Sequence, residues 1–152
     1  MRRPEIGSEM GQAVADDDEL WTRVRGVLDV PLHRFLGIEL VDPERPAAGV
    51  RLQVADEAVN NAGVLHGGIL AALLDVASYL AVLPSLALGE NAVTHDISTS
   101  LMRSVPADSR LEVSGTVVRR GRSLVFLRAE ATLGEAVVAI GQVTKSVVPV
   151  TG

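Results

Sequence analysis

At 152 residues, with 47% hydrophobic side chains, the chain has the size of one domain, large enough to bury roughly 70% of its unfolded surface. A net charge of −5 argues against a nucleic-acid partner, which selects a basic surface, and the lack of cysteine excludes a disulfide framework, a thiolate nucleophile and a cysteine metal site, as fits a cytoplasmic location. The mean hydropathy of +0.29 is high for a monomer and points to apolar surface held between subunits.

Residues 1–15 read as a disordered leader, and the opening Met1-Arg-Arg-Pro-Glu-Ile-Gly7 never reaches the apolar core of a secretory signal. One domain is expected over 16–152. The acidic run Asp16-Asp-Asp-Glu19 suits a helix N-terminus, and Leu20, Trp21, Val24, Val27 and Leu28 recur near a 3.6-residue period. A helix over 16–30 follows, ended by Pro31. Pro31–Gly37 reads as a turn or short helical segment, Ile38–Val41 as a first strand, and the alternating Gly49–Val54 as a half-buried second.

The loop Asn60-Asn-Ala-Gly-Val-Leu-His66-Gly67-Gly68 leads into a helix predicted over 67–83, uncharged except at Asp75. Residues 69–88 approach the length of a membrane span. Asp75, two serines, Pro84 and the lack of basic flanks argue instead for a buried helix and no membrane. Four strands are expected beyond Gly89, roughly 92–103, 110–119, 123–133 and 136–148, with connectors short enough to favour antiparallel neighbours. The architecture predicted is α+β, one long apolar helix wrapped by one antiparallel sheet.

Chemistry concentrates in one stretch. A carboxylate in apolar surroundings is costly unless something pairs with it or uses it. Gly67-Gly68 at a helix start leaves backbone N–H groups bare toward negative charge. A possible base and a possible oxyanion site therefore lie close in sequence. His33, His66 and His95 are too scattered for a metal site. Thr94 alternates with Asp96 and Ser98, which predicts one shared strand face, with His95 turned away from it. Asn60 also reads as a turn former, and His66 as a loop residue shaping the turn.

The ordered set Asn60-x-x-Gly63-x-x-His66-Gly67-Gly68, Asp75 nine residues after His66, and Val93-Thr94-x-Asp96 resembles the hotdog-fold thioesterases. Within them it is similar to the phenylacetate-pathway (PaaI-like) acyl-CoA branch, over about residues 31–148. Leu101-Met-Arg103-x-x-Pro106 and Arg120-Gly121-Arg122-Ser123 are looser echoes. The resemblance implies a curved antiparallel sheet of five to six strands around a long central helix. It also implies homodimers, often paired into tetramers, that hydrolyse acyl-CoA with no cofactor beyond the coenzyme A of the substrate.

Carried over, the pattern makes Asp75 the nucleophile or general base and Gly67 N–H the donor to the thioester carbonyl. Asn60 and His66 would orient substrate or water, and Thr94 would assist the water. Gly68, Arg120, Gly121, Arg122, Ser123 and, with less support, Lys145 would meet coenzyme A, the arginines and the lysine at its phosphates. Two other readings stay open: an acyl-CoA binding or sensing protein without turnover, and a hotdog hydratase or dehydratase acting on an enoyl or hydroxyacyl thioester. Aryl and short- or medium-chain acyl groups both remain possible.

Gly67 and Asp75 lie eight residues apart, roughly 12 Å along a helix, too far for one carbonyl to meet both. Two antiparallel helices related by a two-fold axis would supply one group each. Gly67 of one subunit is therefore expected to work with Asp75 of the other.

Overall fold

The computed structural model describes residues 16–151, so the predicted leader lies outside the described residues. The first helix, α1 (Asp17–Leu28), is capped by the Asp16 side chain, which accepts from Glu19 N–H at 2.9 Å. Pro31 starts the short α2 (Pro31–Leu36), and Gly37 closes it in the left-handed region at φ 67°. The first two strands are shorter than their sequence patterns: β1 is Glu39–Leu40 and β2 is Val50–Gln53.

The central helix, α3 (Gly67–Val82), leads to β3 (Glu90–Leu101), β4 (Arg110–Arg120), β5 (Leu124–Leu133) and β6 (Ala136–Pro149). All six strands form one antiparallel sheet in the order β1-β2-β4-β5-β6-β3. The expected hotdog arrangement is present, with α3 lying across β4 and β5. Leu70, Leu73, Leu74, Ala77 and Leu80 are buried together with inward residues of the sheet such as Leu111, Val113, Val125, Leu127 and Val143. Helix and strand approach so closely that a Cβ at Gly115 would lie 2.7 Å from the Ala77 carbonyl oxygen.

The helix is not covered on every side. Ala72, Asp75 and Tyr79, spaced by three and four, are only half-buried and form an open stripe along α3. At the sheet's edge, β3 is exposed along most of its length, including Val93, Ile97 and Leu101. A twelve-residue edge strand of this kind is a ready template for another strand.

Two bulges correct the face assignments. The register shifts between Thr94 and Asp96, so Thr94 pairs with Lys145 and Asp96 with Thr144, on opposite faces. The single face predicted for Thr94, Asp96 and Ser98 is therefore split: Thr94 faces α3 and the other two face outward. His95, the extra residue, is exposed beside Ser146. A second shift between Val117 and Arg119 brings Arg120 opposite the buried Val125, on the inner face.

Candidate active site

Asp75 projects from the open stripe of α3, its side chain about one-third exposed. Its Oδ1 accepts from Thr94 Oγ1–H at 2.6 Å and from Lys145 Nζ at 2.8 Å, and Lys145 also donates to Thr94 Oγ1 at 2.9 Å. An ammonium has protons but no lone pair, so Thr94 accepts from Lys145 and gives its own proton to Asp75. The hydroxyl keeps one lone pair, able to accept from a water.

The placement of Lys145 contradicts the phosphate-binding role that the resemblance implies. Only 1% of the residue is exposed, and its ammonium is held by Asp75 and Thr94 and lies 5.6 Å from the centre of the Tyr79 ring. The cause is strand parity: Lys145 lies on the same inward face as Val143.

These groups open into a cleft of about 320 Å³. Its walls are Ala72, Val76 and Tyr79 of α3, Ala92 of β3, and Val27, Val30 and His33 from the N-terminal helices. His33 Nδ1–H donates to the Val27 carbonyl at 2.7 Å, tying α2 to α1 at the rim. The Tyr79 hydroxyl donates to Asn91 Oδ1 at 2.8 Å. Burial pushes the Tyr79 phenol above its ordinary value of 10.0, against a smaller opposing pull from the Arg23 charge. The cleft is thus apolar along its walls and carries one carboxylate.

Asn60 and Gly67 line a second cleft of about 290 Å³, with Leu70, Leu101, Met102 and Arg103. Asn60 Oδ1 accepts from Ala62 N–H at 2.9 Å and Val64 N–H at 3.4 Å, and Gly63 N–H donates to the Asn60 carbonyl at 2.9 Å. The turn-forming role of Asn60 is therefore real, and among the described residues its side-chain NH₂ has no acceptor.

His66 caps α3: its Nδ1 accepts from Gly68 N–H at 3.0 Å, which places any proton of the neutral ring on Nε2. That bond takes Gly68 N–H away from coenzyme A. Among the described residues Gly67 N–H has no acceptor, and it remains the free donor of the first turn.

The hairpin between β4 and β5 also departs from expectation. Arg120 turns inward, ion-paired to Glu90 at 3.0 Å and donating to the Gly121 and Arg122 carbonyls, so it is not a free phosphate ligand. The bulge before Arg119 causes this. Gly121 N–H closes the turn onto the Leu124 carbonyl at 2.8 Å, whereas Arg122 and Ser123 are exposed at the tip.

Within one chain the candidate residues form two separate groups. Asp75, Thr94 and Lys145 stand at the middle of α3; Asn60, His66 and Gly67 stand at its start. Among the described residues no three metal-ligating side chains converge.

A family model described as the thioesterase superfamily matches residues 62–140. Among solved structures, a thioesterase of Haemophilus influenzae (HI1161) aligns over 93% of this chain and 96% of its own, at 20% identity and a TM-score of 0.77. A phenylacetic acid degradation-related protein of Ralstonia eutropha JMP134 aligns over 84% of this chain and 98% of its own, at 27% identity and a TM-score of 0.70. The BH2602 protein of Bacillus halodurans, solved with CoA, aligns over 88% of this chain and 93% of its own, at 23% identity and a TM-score of 0.71.

Proposed function

We propose that this chain, which belongs to the thioesterase superfamily and is a thioester hydrolase, cleaves an acyl-CoA to the free acid and coenzyme A at a site shared by two subunits. The observation that carries the reading is Asp75: a carboxylate pinned through one oxygen at the edge of an apolar cleft, its other oxygen free of partners among the described residues. In this site Asp75 activates a water or attacks the thioester carbon itself, while a Gly67 N–H holds the developing oxyanion. The C–S bond breaks and the thiolate of coenzyme A leaves, taking up a proton from the water consumed. Where Asp75 attacks, that water then hydrolyses the acyl–Asp75 anhydride to release the acid.

Two features support a partner's Gly67 over the chain's own. The first is that Asp75 and Gly67 line different clefts. The second is the course of β3. Its Thr94 end bonds to Asp75, and its Leu101 end lies against Gly67, where an added Cβ would be 2.8 Å from Leu101 Cδ1. Pairing this edge with a second copy, antiparallel about a two-fold axis near Ile97 and Ser98, sets each Thr94 end beside the other copy's Leu101 end. Asp75 of one subunit then faces Gly67 and Asn60 of its partner, and the half-exposed Ile97 and Leu101 become covered.

The acyl group occupies the aliphatic cleft roofed by Val27, Val30 and His33, sized for an aryl or a short- to medium-chain group. Arg122 and Ser123 at the exposed hairpin tip take the nucleotide end.

Thiol release from a panel of aliphatic and aryl acyl-CoAs tests the function. At least one member is hydrolysed, and Asp75→Asn lowers that turnover by about 10³-fold. An inactive panel, or an unimpaired variant, refutes the reading.

A further inference from the structure

We propose that Lys145 is a positioning residue, which commits Asp75 Oδ1 and so makes Oδ2 the oxygen that meets water or thioester. The inference rests on the reading of Asp75 as base or nucleophile. Thirteen of the chain's fourteen basic residues are arginine, and Lys145 is its single lysine. Among the described residues it is also the only fully buried charged side chain.

The geometry explains why lysine stands there. A compact ammonium directs separate protons to Asp75 Oδ1 and Thr94 Oγ1 and leaves its remaining side toward the Tyr79 ring. A guanidinium is wider and planar, and its fork matches the two oxygens of one carboxylate rather than single atoms of two side chains.

The ammonium also sets the polarity of the cluster. Because it can only donate, it occupies a lone pair of Thr94 and turns that hydroxyl's proton onto Oδ1. Both donors then converge on one carboxylate oxygen. Oδ2 keeps both lone pairs for the cleft, with the carboxylate plane held between β3, β6 and α3. Without the charge Thr94 is free to rotate, and Asp75 is free to turn and exchange its two oxygens. Lys145 itself never touches the substrate: its role passes through Asp75 and Thr94.

Steady-state kinetics of Lys145→Met, a neutral side chain of similar length, test this. The expected result is a kcat lower by about 10- to 100-fold with KM for acyl-CoA within about twofold of wild type. In Lys145→Ala, ethylammonium added to the buffer recovers part of the lost kcat, whereas in Lys145→Met it recovers none. A wild-type kcat in Lys145→Met overturns the inference. So does a raised KM with kcat preserved, which would place Lys145 on the substrate.

If neither variant folds, Thr94→Val reads the same commitment from the other donor: kcat falls with KM unchanged, and an unchanged kcat contradicts the proposal. The two levels stay distinguishable. Active wild type with inactive Asp75→Asn and fully active Lys145→Met removes only the role of Lys145, whereas inactive wild type removes the thioesterase reading itself.

Discussion

The start of α3 and its middle carry the two halves of the proposed site, and they are built in opposite ways. At the start, Asn60, His66 and Gly67 lie within eight residues, held by short-range bonds: Asn60 to Ala62 and Val64, His66 to Gly68. The donors there are neutral, the Gly67 backbone N–H and the side-chain NH₂ of Asn60. At the middle, Asp75 meets Thr94 from 19 residues away and Lys145 from 70 residues away. The chemistry there is ionic and half-dry. A donor site can be made locally because a helix start has spare N–H groups wherever it occurs. A carboxylate in an apolar helix needs partners from other strands, because its own neighbours at helical spacing supply none with charge.

Substitutions that separate charge from shape give the largest effects. Asp75→Asn keeps an acceptor for Lys145 but removes its counter-charge, and is expected to lower kcat by about 10³-fold with a moderate fall in the unfolding midpoint in urea. Asp75→Ala is expected to lose the same activity and, in addition, about 3 kcal/mol of stability, because it strands a buried ammonium. If both variants prove as stable as wild type, the ion pair contributes nothing to the middle half-site.

The start of the helix is tested through its backbone. Gly67→Pro removes the N–H with little cost to the helix: proline suits the first helical position, and His66 already sits at φ −60° and ψ 127°, as a residue before proline prefers. Among the described residues the only close neighbour of a Cβ there is the flexible end of Leu101. A fall of about 10²-fold in kcat is expected in a thiol-release assay, with the far-UV circular dichroism unchanged. An active Gly67→Pro would remove this end of the helix from the chemistry.

A smaller effect belongs to the cap. His66→Ala is expected to lower stability by about 1 kcal/mol in thermal or urea unfolding, and activity by less than either substitution above. A large loss of kcat without loss of stability would give His66 a role beyond the turn.

The smallest effect is spectroscopic. The chain has one tyrosine, so absorbance at about 295 nm follows Tyr79 alone. Burial raises its titration above 10.0 in the folded protein, and in denaturant it returns to the ordinary value. The sign follows: the folded state holds this proton more tightly, so the stability tied to it is present below pH 10 and is lost as pH rises through the folded value. Titration at the ordinary value in the native protein would mean that the cleft wall is wet.

The same contrast decides what the sequence made legible. The helices, the four long strands and the antiparallel order follow from period, turn residues and connector length, all of them local signals. Asn60, His66, Gly67 and Asp75 stood out for the same reason. The family resemblance puts Arg120 and Lys145 at the phosphates of coenzyme A, and neither the inward parity of Lys145 nor two bulges of one residue each leave a mark in the sequence. One bulge placed Arg120 against Glu90; the other separated Thr94 from Asp96. A signal for Lys145 was present all the same, in a chain that otherwise uses only arginine. His33 gave none, since its place at the cleft depends on how α1 and α2 pack.

The central claim is that the two halves of α3 meet across subunits, and mixing two inactive variants tests it most directly. Asp75→Asn and Gly67→Pro chains, unfolded together and refolded in equal amounts, form mixed dimers in which one site holds an intact Asp75 and an intact partner Gly67. Recovery of about a quarter of wild-type turnover is expected, since half the dimers are mixed and each carries one good site of two. Turnover that stays at the level of the separate variants, with mixed dimers shown to be present, would contradict the account.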